Sequence, residues 1–549
     1  MLKKLMYQIL ILKNAEDMSY MFQNARYIKS LKVDNFDTSK VDDMSGMFYG
    51  CYSLRELNIG NFNTKNVVDM SNMFYYCYSL MHLDFSNFDT SNVKDMNNMF
   101  GYMNYFLEAN LSSFDTSHVK NMSKMFDNCQ KLSSLTLGKF DTSSSEDMSY
   151  MFNYCSALTS LDVSNFKTEK VENMRNMFSY CTKLKSIDLS NFQTKEVRVM
   201  KEMFLGCETL TSLNLLSFDT SIAVEMNKMF NGCKKLTSLD LSNFVTTKIS
   251  DMSFLFSNCE KLEFLDISNF DTSQVTNMSN MFKQCSSLTS LLVPKFDTSL
   301  VRDMSNMFYQ CNSLRSLDLS TFNTKLVSDM SNLFYQCESL ENLDISSFST
   351  DRLTTMDNMF QECKKLKYLN LNGFKTGEIT NMNNLFYGCN SLMSLNLKNF
   401  DTSKVTDMSG MFQFCYSMTS LDISTFKTGE LINANNMFQN CSSLLELNVK
   451  SFNTRKVKSM EYMFRQLSLL TSLDITNFDT TQVTSMNYMF YQSSKIISLD
   501  LSNFNTENCN SFSNMFYSCR NLTIYINKAH CQNLIDKAPN YVTKIIIDE

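Results

Sequence analysis

The sequence predicts an α/β repeat solenoid of about 20 turns of 26 residues, each turn giving one parallel strand plus one short helix. Three observations predict it. Phe recurs every 26 residues from Phe36 to Phe504, nineteen times in nineteen, and Thr follows two residues later from Thr38 to Thr506 without exception. A second Phe runs from Phe22 to Phe516, twenty times at the same spacing, with no insertion or deletion. Inside each copy the apolar residues switch from a helical to an alternating period.

One copy, from Phe36 to Asn61, gives the expected elements in order. Asp37 and Thr38 follow the first Phe and open a turn built on side chains that bond local backbone. Met44, Met47, Phe48 and Cys51 lie at i, i+3, i+4 and i+7, one face of a short amphipathic helix whose start Asp43 or Ser45 can cap. Leu54, Leu57 and Ile59 form an L-x-x-L-x-L pattern, in which Leu57 and Ile59 face one side of a strand and Asn58 the other. A unit this small cannot bury its own apolar face, so the core must come from stacking on the units before and after.

Outside the register, residues 1–15 read as a partial repeat or degenerate N-terminal cap, because Leu2, Leu5, Tyr7 and Leu10 fall on the Leu54, Leu57, Ile59 and Phe62 columns. Residues 16–522 form the repeat region. After Cys519 the pattern decays, and 523–549 read as a C-terminal cap with a helix near Gln532 to Lys537 and a strand near Tyr541 to Ile547.

Composition narrows the function. With 44% hydrophobic and 19% charged residues the chain has ample core material and is not disordered. The 45 Phe, 41 Met and 18 Cys, against 12 Gly and 2 Pro, are the repeat itself expressed as composition. A net charge of -6 with scattered Lys and Arg gives no footprint for nucleic acid, and no run of 18 apolar residues provides a transmembrane helix. His82, His118 and His530 occupy unrelated columns, and no phosphate-loop, Rossmann or zinc-hydrolase spacing occurs, so neither an enzyme nor a cofactor is expected.

The L-x-x-L-x-L signature, as in Leu158-x-x-Leu161-x-Val163 or Leu236-x-x-Leu239-x-Leu241, looks like a leucine-rich repeat. The full unit, Asp-Met-Ser-x-Met-Phe-x-x-Cys-x-x-Leu-x-x-Leu-Asp-Leu-Ser-x-Phe-Asp-Thr, resembles the BspA-like leucine-rich repeat surface proteins of bacteria and protists from about residue 16 to 522. Phe166 stands where the ordinary repeat carries Asn or Cys, so the usual Asn ladder is absent. The resemblance implies a cell-surface or secreted protein that binds host, matrix or neighbouring-cell molecules.

Three columns carry candidate chemistry. Cys fills sixteen places from Cys51 to Cys519, and its replacements Ala25, Met103, Leu467 and Ser493 are small or apolar, which describes a buried packing site holding free thiols. Stacked copies one strand apart fit disulfide geometry poorly, so the redox compartment stays open. Between the strand Leu residues stands Asp at 84, 162, 188, 240, 266, 318, 344, 422, 474 and 500, and Asn at 58, 110, 214, 370, 396 and 448. This face could bind cations or a partner's basic groups, or could simply bond neighbouring backbone in solvent. Directly after the helix Phe stand Tyr49, Tyr75, Tyr76, Tyr102, Tyr154 and Tyr180, then Tyr309, Tyr335, Tyr387, Tyr491 and Tyr517, which read either as an outward aromatic interaction ridge or as shared codon bias and drift in a repeated segment. Five N-x-Ser/Thr acceptors, at Asn110, Asn121, Asn277, Asn440 and Asn521, are no more than chance in so Asn-rich a chain.

The expectation is therefore a non-enzymatic binding protein taking a protein or glycan ligand along a repeated face, in cell-surface adhesion or host and matrix contact. An intracellular, cytoplasmic protein-protein interaction scaffold is the alternative, and a calcium-dependent lectin-like binder using the Asp column is a third.

Overall fold

The computed structural model describes residues 15–138, 140–293 and 296–547. Most of the segment read as a partial repeat or cap, residues 1–14, lies outside the described residues. The chain divides into two compact units, Met1–Asp271 and Thr272–Glu549, and each repeats one path.

Within each unit the repeats stack in parallel, 26 residues on. In the first unit Ser30–Lys32 pairs with Glu56–Asn58, and Glu108–Asn110 with Ser134–Thr136. In the second, Asn342–Asp344 pairs with Tyr368–Asn370, and Ser420–Leu421 with Glu446–Leu447. In other turns the same stretch carries single cross-rung bonds, such as Thr211 N–H to the Lys185 carbonyl at 3.2 Å. Nineteen buried Thr corners, Thr38 to Thr506, mark nineteen turns of parallel β-solenoid rather than twenty. The twentieth copy of the Phe22 column has no Thr, since Leu12 stands 26 residues before Thr38.

The helix expected in each turn is not there. Lys528–Lys537 is the one helix among the described residues. Met44 to Cys51 instead makes two consecutive turns, closed by Met47 N–H to the Met44 carbonyl at 3.3 Å and by Cys51 N–H to the Phe48 carbonyl at 3.2 Å. Their third residues, Gly46 and Gly50, have φ of 56° and 70°, the left-handed region that a type II turn demands and an α-helix forbids. The alternate amides then point along the stack: Met44, Gly46, Phe48 and Gly50 donate to the carbonyls of Asp69, Ser71, Met73 and Tyr75 at 2.8–3.0 Å. The double turn turns the same four side chains inward as a helix would, so apolar spacing alone cannot separate the two. Asn, the side chain that best tolerates positive φ, fills the first left-handed position in most other turns, at Asn72, Asn98, Asn306 and Asn332 among them.

Three kinds of column hold the rungs together. The Phe22 column packs face to face, with centroids 5.6 Å apart for Phe48–Phe74 in the first unit and for Phe308–Phe334 in the second. Truncating one such buried ring to Ala costs about 3–5 kcal/mol. The Thr hydroxyl bonds twice to one residue of the next rung: Thr64 Oγ1 donates to the Asp89 carbonyl at 2.9 Å and accepts from the Asp89 N–H at 2.8 Å. Thiols of the Cys column donate back to a Phe carbonyl, as Cys77 to Phe48 at 3.1 Å and Cys337 to Phe308 at 3.2 Å. Ser493 makes the same bond to Phe464 at 2.6 Å, so the column selects a small donor. All 18 cysteines are buried and free, and burial pushes thiols such as Cys181 and Cys337 well above the ordinary value.

Corners are set by Asp and Asn rather than by Gly and Pro. In one rung Asp89, Asp95 and Asn110 each accept from the amide two residues on, at 3.1, 2.8 and 3.1 Å. At the C-terminal end the sheet continues through Ser498–Leu501, Thr523–Asn527 and Thr543–Ile547, all parallel, while Lys528–Lys537 crosses between the last two.

Candidate interaction faces

All ten column aspartates, Asp84, Asp162, Asp188, Asp240, Asp266, Asp318, Asp344, Asp422, Asp474 and Asp500, are exposed. Each spends one carboxylate oxygen on the amide two residues ahead, at 2.9–3.2 Å. That local bond explains the residue type, because Asn110 and Asn370 make it equally well to Ser112 and Asn372. The same contacts lower individual carboxyls: the Ser164 hydroxyl and amide lower Asp162, and the Ser190 amide lowers Asp188. Asp474 additionally meets Lys450 Nζ at 3.0 Å. Among the described residues no three His, Cys, Asp or Glu side chains gather as a metal site would require.

The tyrosines behave differently, because the structure brings several of them into contact. In the first unit Tyr49, Tyr75, Tyr76 and Tyr102 join Tyr20, Tyr52 and Tyr78 in one network, with ring centroids 4.2 Å apart for Tyr75–Tyr76, 4.8 Å for Tyr76–Tyr102 and 5.3 Å for Tyr52–Tyr78. Tyr20 and Tyr49 are 6.3 Å apart at its edge, and the Arg26 guanidinium lies 5.4 Å from the Tyr52 ring centre. Six of the seven are half-buried and Tyr20 is exposed. Small residues make room, since a Cβ on Gly101 would fall 2.7 Å from the Tyr75 ring. Burial and the neighbouring Tyr76 hydroxyl drive the Tyr75 phenol well up.

Tyr154 and Tyr180 form a separate stacked pair at 4.3 Å in the same unit. Beside them Asp127 is buried, receives the Asn153 side-chain amide at 2.7 Å, and is raised by desolvation. In the second unit Tyr309 stacks on Tyr335 at 4.6 Å, and Tyr491 on Tyr517 at 4.9 Å, whereas Tyr387 meets Phe414 edge-on at 5.2 Å. The ridge is thus a set of separate clusters. Tyr20, Tyr52 and Tyr78 were not in the expected set because they lie outside the column directly after the Phe. Their signal was nonetheless present, since Tyr52 and Tyr78 stand three residues beyond Tyr49 and Tyr75.

Parallel rungs of constant length, joined through an L-x-x-L-x-L strand and a stacked aromatic core, define a leucine-rich-repeat-like repeat protein. The chain belongs to the family described as "Mycoplasma protein of unknown function, DUF285", whose model matches residues 16–135, 102–212, 185–290, 251–369, 354–472 and 445–542. No curated protein matches the chain. Among solved structures it is similar to the functional domain of InlJ from Listeria monocytogenes (15% identity, 77% of this chain and 69% of that one, TM-score 0.16). It is also similar to a leucine-rich repeat protein from Eubacterium ventriosum (14% identity, 68% and 79%, TM-score 0.26) and to TLR13 in its ssRNA13 complex (16% identity, 90% and 89%, TM-score 0.25). No helix among the described residues is long and apolar enough to cross a membrane.

Proposed function

We propose that this is a non-enzymatic binding protein that engages a protein or glycan partner across its repeated face, in cell-surface adhesion or in contact with host or matrix molecules. The observation that carries the reading is the seven-tyrosine network around Tyr76, a broad surface of half-exposed rings edged by Arg26. Such rings offer large contact area for little lost side-chain freedom. Repetition of weaker contacts along the Asp column adds affinity through effective concentration. The surface location rests on the resemblance to BspA-like proteins, and residues 523–549 are read as the cap that closes the repeat region.

Arrays of matrix proteins and glycans probed with the purified chain test the binding. Replacing Tyr52 and Tyr78 with Ser should remove capture of the partner so found. Replacing Asp162, Asp188, Asp240 and Asp266 with Ser should weaken it less. Loss only in the aspartate variant would move the site to that face, and no loss in either would sink both. Protease treatment of intact cells tests location: survival of the protein would favour the intracellular scaffold.

A further inference from the structure

The double turns of the second unit follow a rule at their first left-handed position. Asn stands there from Asn280 to Asn384, at Asn436 and at Asn514, and Gly at Gly410. Both residue types hold a positive φ at little cost. Two neighbouring turns break the rule: Tyr462 and Tyr488 carry φ of 58° and 56°, where a bulky side chain is strained. The first unit is less strict, with Tyr20, Lys124, Glu202 and Phe254 at this position, but in the second the exceptions are these two adjacent turns. Residues held against their backbone preference cluster where a protein grips a ligand.

The two exceptions build a charged aromatic face. Tyr462 and Tyr488 stack at 4.9 Å, Tyr488 meets Tyr491 at 5.5 Å, and Tyr491 stacks on Tyr517 at 4.9 Å. The Arg465 guanidinium lies against two of these rings, 5.5 Å from the centre of Tyr462 and 4.9 Å from that of Tyr491. Arg465, Tyr462, Tyr488 and Tyr491 are half-buried and Tyr517 is exposed. Nearby cations have counter-charges, Lys450 with Asp474 at 3.0 Å and Lys456 with Glu430 at 2.6 Å, whereas among the described residues no carboxylate pairs with Arg465. Glu461, on the same turn, accepts instead from the Ser485 hydroxyl and from the Asn487 amide. A planar fork of donors, steadied by two rings and lacking a counter-charge, calls for a carboxylate. The negative faces of half-exposed rings call for a flat surface of weakly positive C–H groups, which a sugar ring presents. Gln466 and Gln492, half-buried directly after Arg465 and Tyr491, supply amides suited to its hydroxyls. A peptide of acidic residues alone would match the charge and leave the ring faces uncovered. We propose that this aromatic face of the second unit binds a carboxylated sugar, as in a uronic-acid glycan, its carboxylate on Arg465 and its rings on Tyr488 and Tyr491.

Calorimetric titration of the full chain with hexagalacturonate, with its fully methyl-esterified form and with hexaglutamate tests this. Hexagalacturonate should bind, and the ester, which keeps the sugar rings and loses the charge, should bind about tenfold more weakly. Hexaglutamate, with carboxylates and no ring faces, should also bind about tenfold more weakly. Arg465→Gln installs the residue that Gln413 and Gln439 place in the same column, so the melting temperature should hold while affinity for hexagalacturonate falls about tenfold. Arg465→Lys keeps the charge without the fork and should recover only part of that loss. Tyr488→Asn restores the ordinary residue at positive φ; it should leave the melting temperature unchanged or higher and weaken binding about tenfold. Absence of hexagalacturonate binding would overturn the proposal. So would equal binding of the ester, equal or tighter binding of hexaglutamate, or unchanged affinity in Arg465→Gln or Tyr488→Asn. A marked fall in melting temperature in both variants would show the cluster to be packing and would overturn it as well. The network around Tyr76 lies in the other unit, and its reading stands apart from all of these outcomes.

Discussion

Thr402 is fully buried, and its hydroxyl donates to the Lys427 carbonyl at 3.0 Å while accepting from the Lys427 N–H at 2.7 Å. Thr402→Val keeps the shape and deletes both bonds, leaving one backbone donor and one acceptor unpaired in a part-buried seam. Each unpaired group costs about 1–3 kcal/mol, toward the lower end in a part-buried seam that water can reach, so the variant should lose about 2–4 kcal/mol of local stability. Thr402→Ser keeps both bonds and removes one methyl, a loss of about 1 kcal/mol. In a stacked array the damage falls on one rung-to-rung interface rather than on the whole chain. Hydrogen exchange read by mass spectrometry over 420–430 therefore reports it better than a melting curve. Opening there should rise on the order of 30- to 1000-fold in the Val variant and about fivefold in the Ser variant. If Val exchanges no faster than wild type and Ser exchanges faster, the methyl and not the hydroxyl explains the nineteen threonines, and the ladder account fails.

Other consequences of the columns are as direct. Cys337→Ser should keep the bond to the Phe308 carbonyl and cost less than Cys337→Ala in urea denaturation, as Ser493 already makes that bond natively. In the folded protein none of the 18 thiols should react with a disulfide reagent, and all should titrate after denaturation. Burial raises Cys207, Cys363 and Cys441 from the ordinary 9.0 to about 12, so the folded chain holds those protons more tightly than the unfolded one. Their contribution is complete below pH 9 and is lost as pH climbs toward 12; stability measured by urea titration that stayed flat across that window would contradict it. At Asn332, where φ is 54°, Gly should be neutral within about 0.5 kcal/mol and Val should cost about 2 kcal/mol in the same denaturation assay.

The stacking was legible in the sequence because the forces that create it act on single columns. A buried Phe or Thr needs its copy one rung away, so Phe22 to Phe516 and Thr38 to Thr506 repeat at the spacing of the fold itself. The Asx corners were legible for the same reason, each being a bond between a residue and its near neighbour. The segment from Met44 to Cys51 was misread because i, i+3, i+4 and i+7 describes inward-facing residues on either a helix or a pair of left-handed turns. The discriminating signal lay on the polar side, where Gly46, Asn72, Asn98, Asn306 and Asn332 share a position that no helix asks to be Gly or Asn. At the surface, Tyr49, Tyr75, Tyr76 and Tyr102 were readable as a column, but their union with Tyr20, Tyr52 and Tyr78 depends on packing across four rungs.

The bonds between rungs also decide how a pulled chain would yield. Within a unit, a load applied through the backbone meets one rung interface at a time, and each interface carries the same short set of amide, hydroxyl and thiol contacts. A rung that peels away releases 26 residues, about 90 Å of extended chain. Near-identical interfaces then give way at near-identical forces, so the protein would lengthen in even steps under tension instead of failing at a single threshold.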